Sequence, residues 1–233
     1  MTLSSNYYVV AALIASLAVA GCSAHQGSVQ TAPEPTAAAR SQETAIAKAR
    51  ADSLRHPYVQ ADVNFMTGMI GHHAQAIVMS GWAPTHDANP SIQVLAKRII
   101  NAQQDEIATM QTWLRDRKEP VPEVSTGGTV KMAMHGMHHD MQHDMLMPGM
   151  LTDTQMKQLD SARAADFDRL FLTYMIQHHR GAVTMVKQLF GSYGAGQDET
   201  VFKFASDVNV DQTTEIARME KMLAALPPAP HTP

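Results

Sequence analysis

Asp62 to Met79 reads DVNFMTGMIGHHAQAIVM, and Asp168 to Met185 reads DRLFLTYMIQHHRGAVTM. The two stretches align without a gap at an offset of 106 residues (168 − 62), and 9 of their 18 paired positions are identical. The chain therefore contains an internal repeat, which constrains any fold assigned to it. Within it Phe65, Met69, His72, Ala76 and Met79 recur at spacings of 4, 3, 4 and 3, as do Phe171, Met175, His178, Ala182 and Met185. That spacing marks the seam of an α-helix that meets partner helices. It aims His72 and His178 at a bundle interior and leaves His73 and His179 roughly 100° round, at the edge of the same face. Met69 lies within one turn of both His72 and His73, so its thioether can approach either ring.

Working outward, each repeat begins a helical hairpin. The first helix spans about Tyr58 to Trp82. A second follows the Asn89-Pro90 cap signal and runs to about Arg117. The Thr152–Gln155 capping-box pattern predicts a long helix from there to about Phe190. A fourth runs from about Asp198 to Leu226, where Pro227-Pro228 stops it. The second and fourth helices also match each other, at an offset of 109: Gln103/Gln212, Glu106/Glu215, Ile107/Ile216, Met110/Met219 and Leu114/Leu223. No segment reads as a convincing strand. The expected fold is all-α, an antiparallel four-helix bundle made of two repeated hairpins, 57–118 and 152–227. Residues 119–151 form a linker between them.

The start of the chain reads as an export signal over residues 1–21. Val9 to Ala20 is apolar but short for a membrane span. It runs into Val19-Ala20-Gly21-Cys22, which resembles a bacterial lipobox whose Cys becomes the acylated first residue. Met1 to Tyr8 carries no Lys or Arg, so a plain signal peptide or an uncleaved anchor stands as the alternative. Cys22 is the sole cysteine of the chain, so the mature domain would have no disulfide and no thiolate metal site. Residues 22–56 read as a lipid-attached tether with a short Ala-rich helix from Ala37, broken by Pro57. A lipid anchor at Cys22 would hold the domain on a membrane, facing the periplasm or the cell exterior. The net charge of −4 is mild. No basic face appears, which argues against a nucleic-acid partner.

Against that single Cys the chain has 17 Met and 12 His. They concentrate in the linker, where Lys131 to Met150 reads KMAMHGMHHDMQHDMLMPGM. The candidate ligands there are Met132, Met134, His135, Met137, His138, His139, Met141, His143 and Met145. Thioether sulfur is a soft, neutral donor suited to Cu(I), and imidazole suits copper in both oxidation states as well as zinc. Mixed Met/His donors in an exported chain without thiols fit extracytoplasmic copper, with zinc possible at the histidines. The bland alternatives are a flexible spacer and a Met-rich patch for partner helices.

In the repeats, Met69, His72, His73 and Met79 are candidate ligands, as are Met175, His178, His179 and Met185. Met110 and Met219 on the partner helices could complete the set. A lone histidine in a helix seam is usually a hydrogen-bonded core residue, and Glu106 and Glu215 stand as acceptors. Two adjacent histidines repeated in both halves go beyond what packing requires, because each buried ring nitrogen needs a partner. A carboxylate-bridged di-iron site is excluded, since Glu106 and Glu215 are followed three residues later by Thr109 and Arg218 rather than His. No Ser/His/Asp order, phosphate loop or His-Glu-x-x-His occurs. Asp62 and Asp168 sit near helix starts, where dipole stabilisation or capping is expected.

Both copies fit the pattern D-x-x-F-x-x-x-M-x-x-H-H-x-x-A-x-x-M. With Met147-Pro-Gly-Met150, Phe167-Asp168 and His178-His179-Arg180-Gly181-Ala182, the chain from about Val59 to Leu226 resembles a bacterial family of unknown-function domains that includes CopM-type periplasmic copper-binding proteins. The resemblance implies a ferritin-like bundle that holds Cu(I) or Cu(II) through Met and His, in copper resistance. The ligands it implies by position are Met69, His72, His73, Met79, Met175, His178, His179 and Met185. The first copy departs from the second with Gln75 for Gly181 and Ala74 for Arg180. The resulting expectation is a non-enzymatic, exported copper lipoprotein that buffers, stores or hands the metal to a transfer partner. A metal-dependent oxidase and a non-metal interaction module are the rival classes.

Overall fold

The computed structural model describes residues 36–53, 58–124, 130–131 and 146–227. The chain divides into two units, Met1–Glu43 and Thr44–Pro233. Residues 36–43 represent the first, at the start of helix α1 (Ala37–Ser53). The second holds α2 (Gln60–Gly81), α3 (Pro90–Asp116), α4 (Asp153–Ser161), α5 (Ala164–Gly191) and α6 (Glu199–Ala225). A short 3₁₀ turn, Ala83–Thr85, follows α2. The fold is all-α: α2 pairs with α3, α5 pairs with α6, and α2 packs on α5.

Local signals set the helix starts. Asn89 Oδ1 accepts from Ser91 N–H at 2.9 Å ahead of Pro90, and Asp198 Oδ1 accepts from Thr200 and Val201 N–H at 3.0 and 3.1 Å. Such caps satisfy donors that a helix N-terminus otherwise leaves open. The cap of α6 is also a tertiary joint. Trp113 of α3 donates its indole N–H to Asp198 at 3.0 Å, and Arg117 pairs with the same carboxylate.

The hairpins exchange carboxylates. Asp62 accepts from its own Val59 N–H at 2.9 Å and from Gly196 N–H, in the α5–α6 loop, at 2.7 Å. Asp168 reciprocates by accepting from Asn89 N–H, in the α2–α3 loop, at 3.0 Å. Asp62 therefore has the expected capping role and a second, cross-hairpin one. Asp168 is a full turn inside α5, where it ties the hairpins together.

Two expectations are corrected. The predicted single helix from Thr152 breaks after Ser161. Thr152 and Gln155 do form the capping box, but the helix it starts is α4. Ala162 and Arg163 are extended and Ala164 has φ +52°. His86 takes over the interrupted ladder: its Nε2–H donates to Asp160 O at 2.8 Å, and its carbonyl accepts from Ala164 N–H at 2.8 Å. The second correction is a two-residue antiparallel ladder in the linker, Glu123–Val124 (β1) against Val130–Lys131 (β2). An alanine at φ +52° pays the left-handed penalty that glycine escapes. Ala164→Gly is therefore expected to stabilise the chain by about 0.5–1 kcal/mol, net of glycine's greater unfolded-state entropy. A lower urea midpoint for the variant would refute this.

Candidate metal centre

The α2–α5 seam brings the inner histidines of the two repeats into one stack. The His72 and His178 rings lie 3.8 Å apart between centroids, tilted by 37°. Both are wholly buried, and so are His73 and His179. The seam periodicity placed the outer pair at the edge of the apolar face. That edge is covered, because each hairpin folds its second helix over it. His73 Nε2–H donates to Glu106 of α3 at 2.7 Å, and His179 Nε2–H donates to Glu215 of α6 at 2.7 Å. The two glutamates expected as acceptors for the seam histidines thus serve the outer histidines instead.

The inner pair has a different neighbour. His72 Nε2–H donates to the Pro148 carbonyl at 3.1 Å. Carbonyls and carboxylates only accept, so His72, His73 and His179 all carry the proton on Nε2. In the neutral ring, Nδ1 is then a bare lone pair. His72 Nδ1, His73 Nδ1, His179 Nδ1 and both nitrogens of His178 are buried without a hydrogen-bond partner. The side-chain amides of Gln103 and Gln212, one turn before the two glutamates, also have unpartnered atoms. Each such atom costs about 1–3 kcal/mol when nothing meets it, so their concentration in one layer needs a chemical reason.

Burial decides the charge of the inner rings. It pushes His72 down to about 3, with His73 nearby adding to the shift. His178 is held well below the usual imidazole range by burial, then by His72, His179 and His73. At neutral pH both inner rings are uncharged, the form in which imidazole binds a metal.

The six candidate methionines of the bundle flank the histidine layer in two apolar clusters. Met69, Met110 and Met185 lie in one, and Met79, Met175 and Met219 lie in the other. The repeat exchanges the two sets, with 69 matching 175, 79 matching 185 and 110 matching 219. The candidates Met132, Met134, His135, Met137, His138, His139, Met141, His143 and Met145 lie outside the described residues, as does Cys22. Among the described residues no three of His, Cys, Asp and Glu gather as a metal-binding group. The available donors are imidazole nitrogens with thioethers in the adjoining layers, a set that suits a soft ion of low coordination number.

The turn that seats Pro148 was not foreseen. Met150 N–H closes it on Met147 O at 3.1 Å, and Gly149 takes φ +79°. A Cβ on Gly181 would lie 1.9 Å from the Pro148 oxygen, so only glycine lets the turn reach His72. On the opposite side the Gln75 amide bonds both backbone groups of Leu151, at 3.0 and 2.8 Å. Gln75 and Gly181 occupy equivalent repeat positions. Their difference, visible in the sequence, is what lets a symmetric pair of helices grip one asymmetric turn.

A family described as a domain of unknown function (DUF305) matches residues 62–223. A solved DUF305 fragment from Deinococcus radiodurans is 25% identical, with a TM-score of 0.58 over 73% of this chain and 99% of that one. CopM in its Cu(I)-bound form is 26% identical, with a TM-score of 0.52 over 72% and 97% of the two chains. Its Cu(II)-bound form is 30% identical, with a TM-score of 0.50 over 70% and 95%. An uncharacterized protein of Acanthamoeba polyphaga mimivirus is 44% identical over 57 residues, 24% of this chain and 38% of that protein. The chain thus spans well under half the length of that curated relative.

Proposed function

The chain belongs to the DUF305 family, and from that premise we propose that it is an exported copper-binding protein whose buried histidine layer takes Cu(I). One observation carries the reading: three buried imidazoles commit Nε2 to an acceptor and leave Nδ1 without a hydrogen-bond partner. Glu106 and Glu215 orient His73 and His179 as carboxylates orient metal-bound histidines elsewhere. The neutral inner rings offer lone pairs without proton competition at neutral pH. The methionine layers above and below supply soft, unprotonated sulfur and a low dielectric, both of which favour a monovalent ion over a hydrated divalent one. The likeness to CopM, solved with Cu(I) and with Cu(II) bound, supports copper as the metal.

In this proposal the histidine layer stores or hands on copper and performs no catalysis. The Met/His tract from Met132 to Met145 captures it. Cys22 carries the lipid that keeps the protein at a membrane, and a copper-transfer partner receives the cargo. The test is an anaerobic Cu(I) titration of the mature chain against a competing chelator. It is repeated on a chain lacking 131–145 and on a His72/His73/His178/His179→Ala chain. Tight binding lost in the histidine variant and kept in the deletion is the expected result. Loss in the deletion alone would move the main site to the tract. An intact chain that never competes for Cu(I), Cu(II) or Zn(II) would refute the metal reading altogether.

A further inference from the structure

The end of the bundle where α5 passes into α6 is a bare aromatic surface. Phe190, at the end of α5, and Phe202, in the first turn of α6, pack with ring centroids 5.7 Å apart, yet they remain 42% and 56% exposed. Tyr193, in the loop between them, is fully exposed. Among the described residues these three are the exposed aromatic side chains, whereas the large exposed aliphatic ones are scattered over α1, α3, α6 and the chain before α4. Single exposed apolar residues are ordinary, but three rings at one tip are not. The loop holds them in place. Gly196 has φ +67°, a Cβ on it would stand 2.8 Å from the Phe190 ring, and its N–H is bonded to Asp62. Hairpin packing does not require the rings. At the repeat offsets Phe190 matches Pro84 (190 − 84 = 106) and Phe202 matches Gln93 (202 − 93 = 109).

We propose that this tip is a membrane-contact surface, which inserts Phe190, Tyr193 and Phe202 into the interfacial layer of a phospholipid bilayer. Aromatic rings suit that layer, where an apolar body meets lipid and a polar edge stays wet. The place where the chain enters the bundle selects a bilayer as the occupant. Val59, the residue before α2, meets the same loop, because a Cβ on Gly194 would lie 3.5 Å from its Cγ1. The chain therefore enters the bundle at this end. In the reading above, the preceding residues carry the acylated Cys22, which keeps the tip close to a membrane. At the resulting local concentration a weak contact is enough to dock it. That orientation rests on the lipid reading, whereas insertion of the rings does not. Lys187, one turn before Phe190, and Lys203, next to Phe202, are exposed at the rim. Their stems can lie along lipid while the ammonium groups reach the headgroups. Lys203 pairs with Asp207, and exposed Glu199 precedes Phe202 by three residues. The charges balance, so ring burial drives the contact rather than attraction to anionic lipid.

The test uses the full mature chain made without its lipid and sedimented with phosphatidylcholine vesicles, a probe without net charge. The intact chain is expected to partition onto them. A Tyr193→Ser/Phe202→Ser chain should partition about tenfold or more weakly. Should that variant not fold, Tyr193→Ser alone, at a fully exposed position, is still expected to weaken partition severalfold. Val94→Ser, which removes an exposed apolar side chain near the start of α3, should change nothing. An intact chain that ignores the vesicles overturns the proposal, as does an equal fall in the Val94 variant. A concentration-dependent dimer abolished by the tip variant also overturns it, because the face would then belong to a second copy. The lipid reading is checked separately, by the mass of the Cys22 peptide in chain extracted from cells. Vesicle binding by a chain found without an acyl group removes the anchor and keeps the tip. An acylated chain whose lipid-free form ignores vesicles keeps the anchor and removes the tip.

Discussion

Gly181→Ala is expected to destabilise the fold by about 3 kcal/mol and to lower Tm by about 10 °C. The direction runs against helix propensity, which favours alanine over an interior glycine by about 1 kcal/mol. Propensity loses because the space is already filled. The new Cβ would stand 1.9 Å from the Pro148 oxygen and 2.6 Å from Gly149 Cα. Both are backbone, so no side chain can swing aside and the turn itself must lift. Lifting it strips the buried His72 Nε2–H of its acceptor, which costs about 1–3 kcal/mol, and strains the half-buried Gln75–Leu151 pair. Gly71→Ala is the control. Its Cβ would meet only Met147 Cε, at 3.5 Å, an ordinary contact, so propensity wins and the chain gains about 0.5–1 kcal/mol. Chemical denaturation of the three chains decides it. Equal effects from the two glycines would mean that the turn is not held against Gly181.

The repeat made most of the fold legible. Two copies of a 4-3-4-3 seam, each followed by a matching second helix, leave two hairpins little choice except to bury those seams against each other. The α4–α5 break was hidden because Ser161 to Ala164 contains neither glycine nor proline. The break comes from His86, 75 residues upstream of Ser161 (161 − 86), whose ring and carbonyl take the freed hydrogen bonds. Tertiary partners override propensity in this way wherever they supply the bonds a helix gives up. In the site, the four histidines were legible because both copies carry them. Their wiring was not. Helical spacing gives an angle for His73 and does not say which neighbour covers that angle. The covering helix is the hairpin's own second arm, which is why Glu106 bonds His73 rather than His72. The acceptor of His72 is a backbone carbonyl, which has no residue type to read. Gln75 and Gly181 looked like a departure between the copies, and their use emerges only with the turn in place between them.

Metal-free protein is expected to lose about 2.5 kcal/mol of stability between pH 7 and pH 4.5 through His72 alone. Its folded-state value is pushed down to about 3, against an ordinary 6.5. The unfolded chain therefore binds the extra proton across that whole interval. Stability from this source is fully present above about pH 6.5 and drains away as the pH falls towards 3. His178, also held well below its ordinary value by burial, adds to the loss in the same direction, although the stacked pair titrates as a unit and the two amounts do not simply sum. Asp168 and Asp211 oppose it, because burial raises both carboxyls. Asp211 is exposed, and in the buried Asp168 the hydrogen bond from Asn89 N–H works against the effect of burial, so their contribution is the smaller. The measurement is the denaturant midpoint of the apo chain at several pH values, beside a His72→Leu/His178→Leu chain in which the two titrating rings are gone. The slope below pH 6.5 should flatten in that variant. If both chains lose stability in parallel, the acid sensitivity belongs to other groups, and the inner rings are not the neutral, proton-free donors on which the copper reading depends.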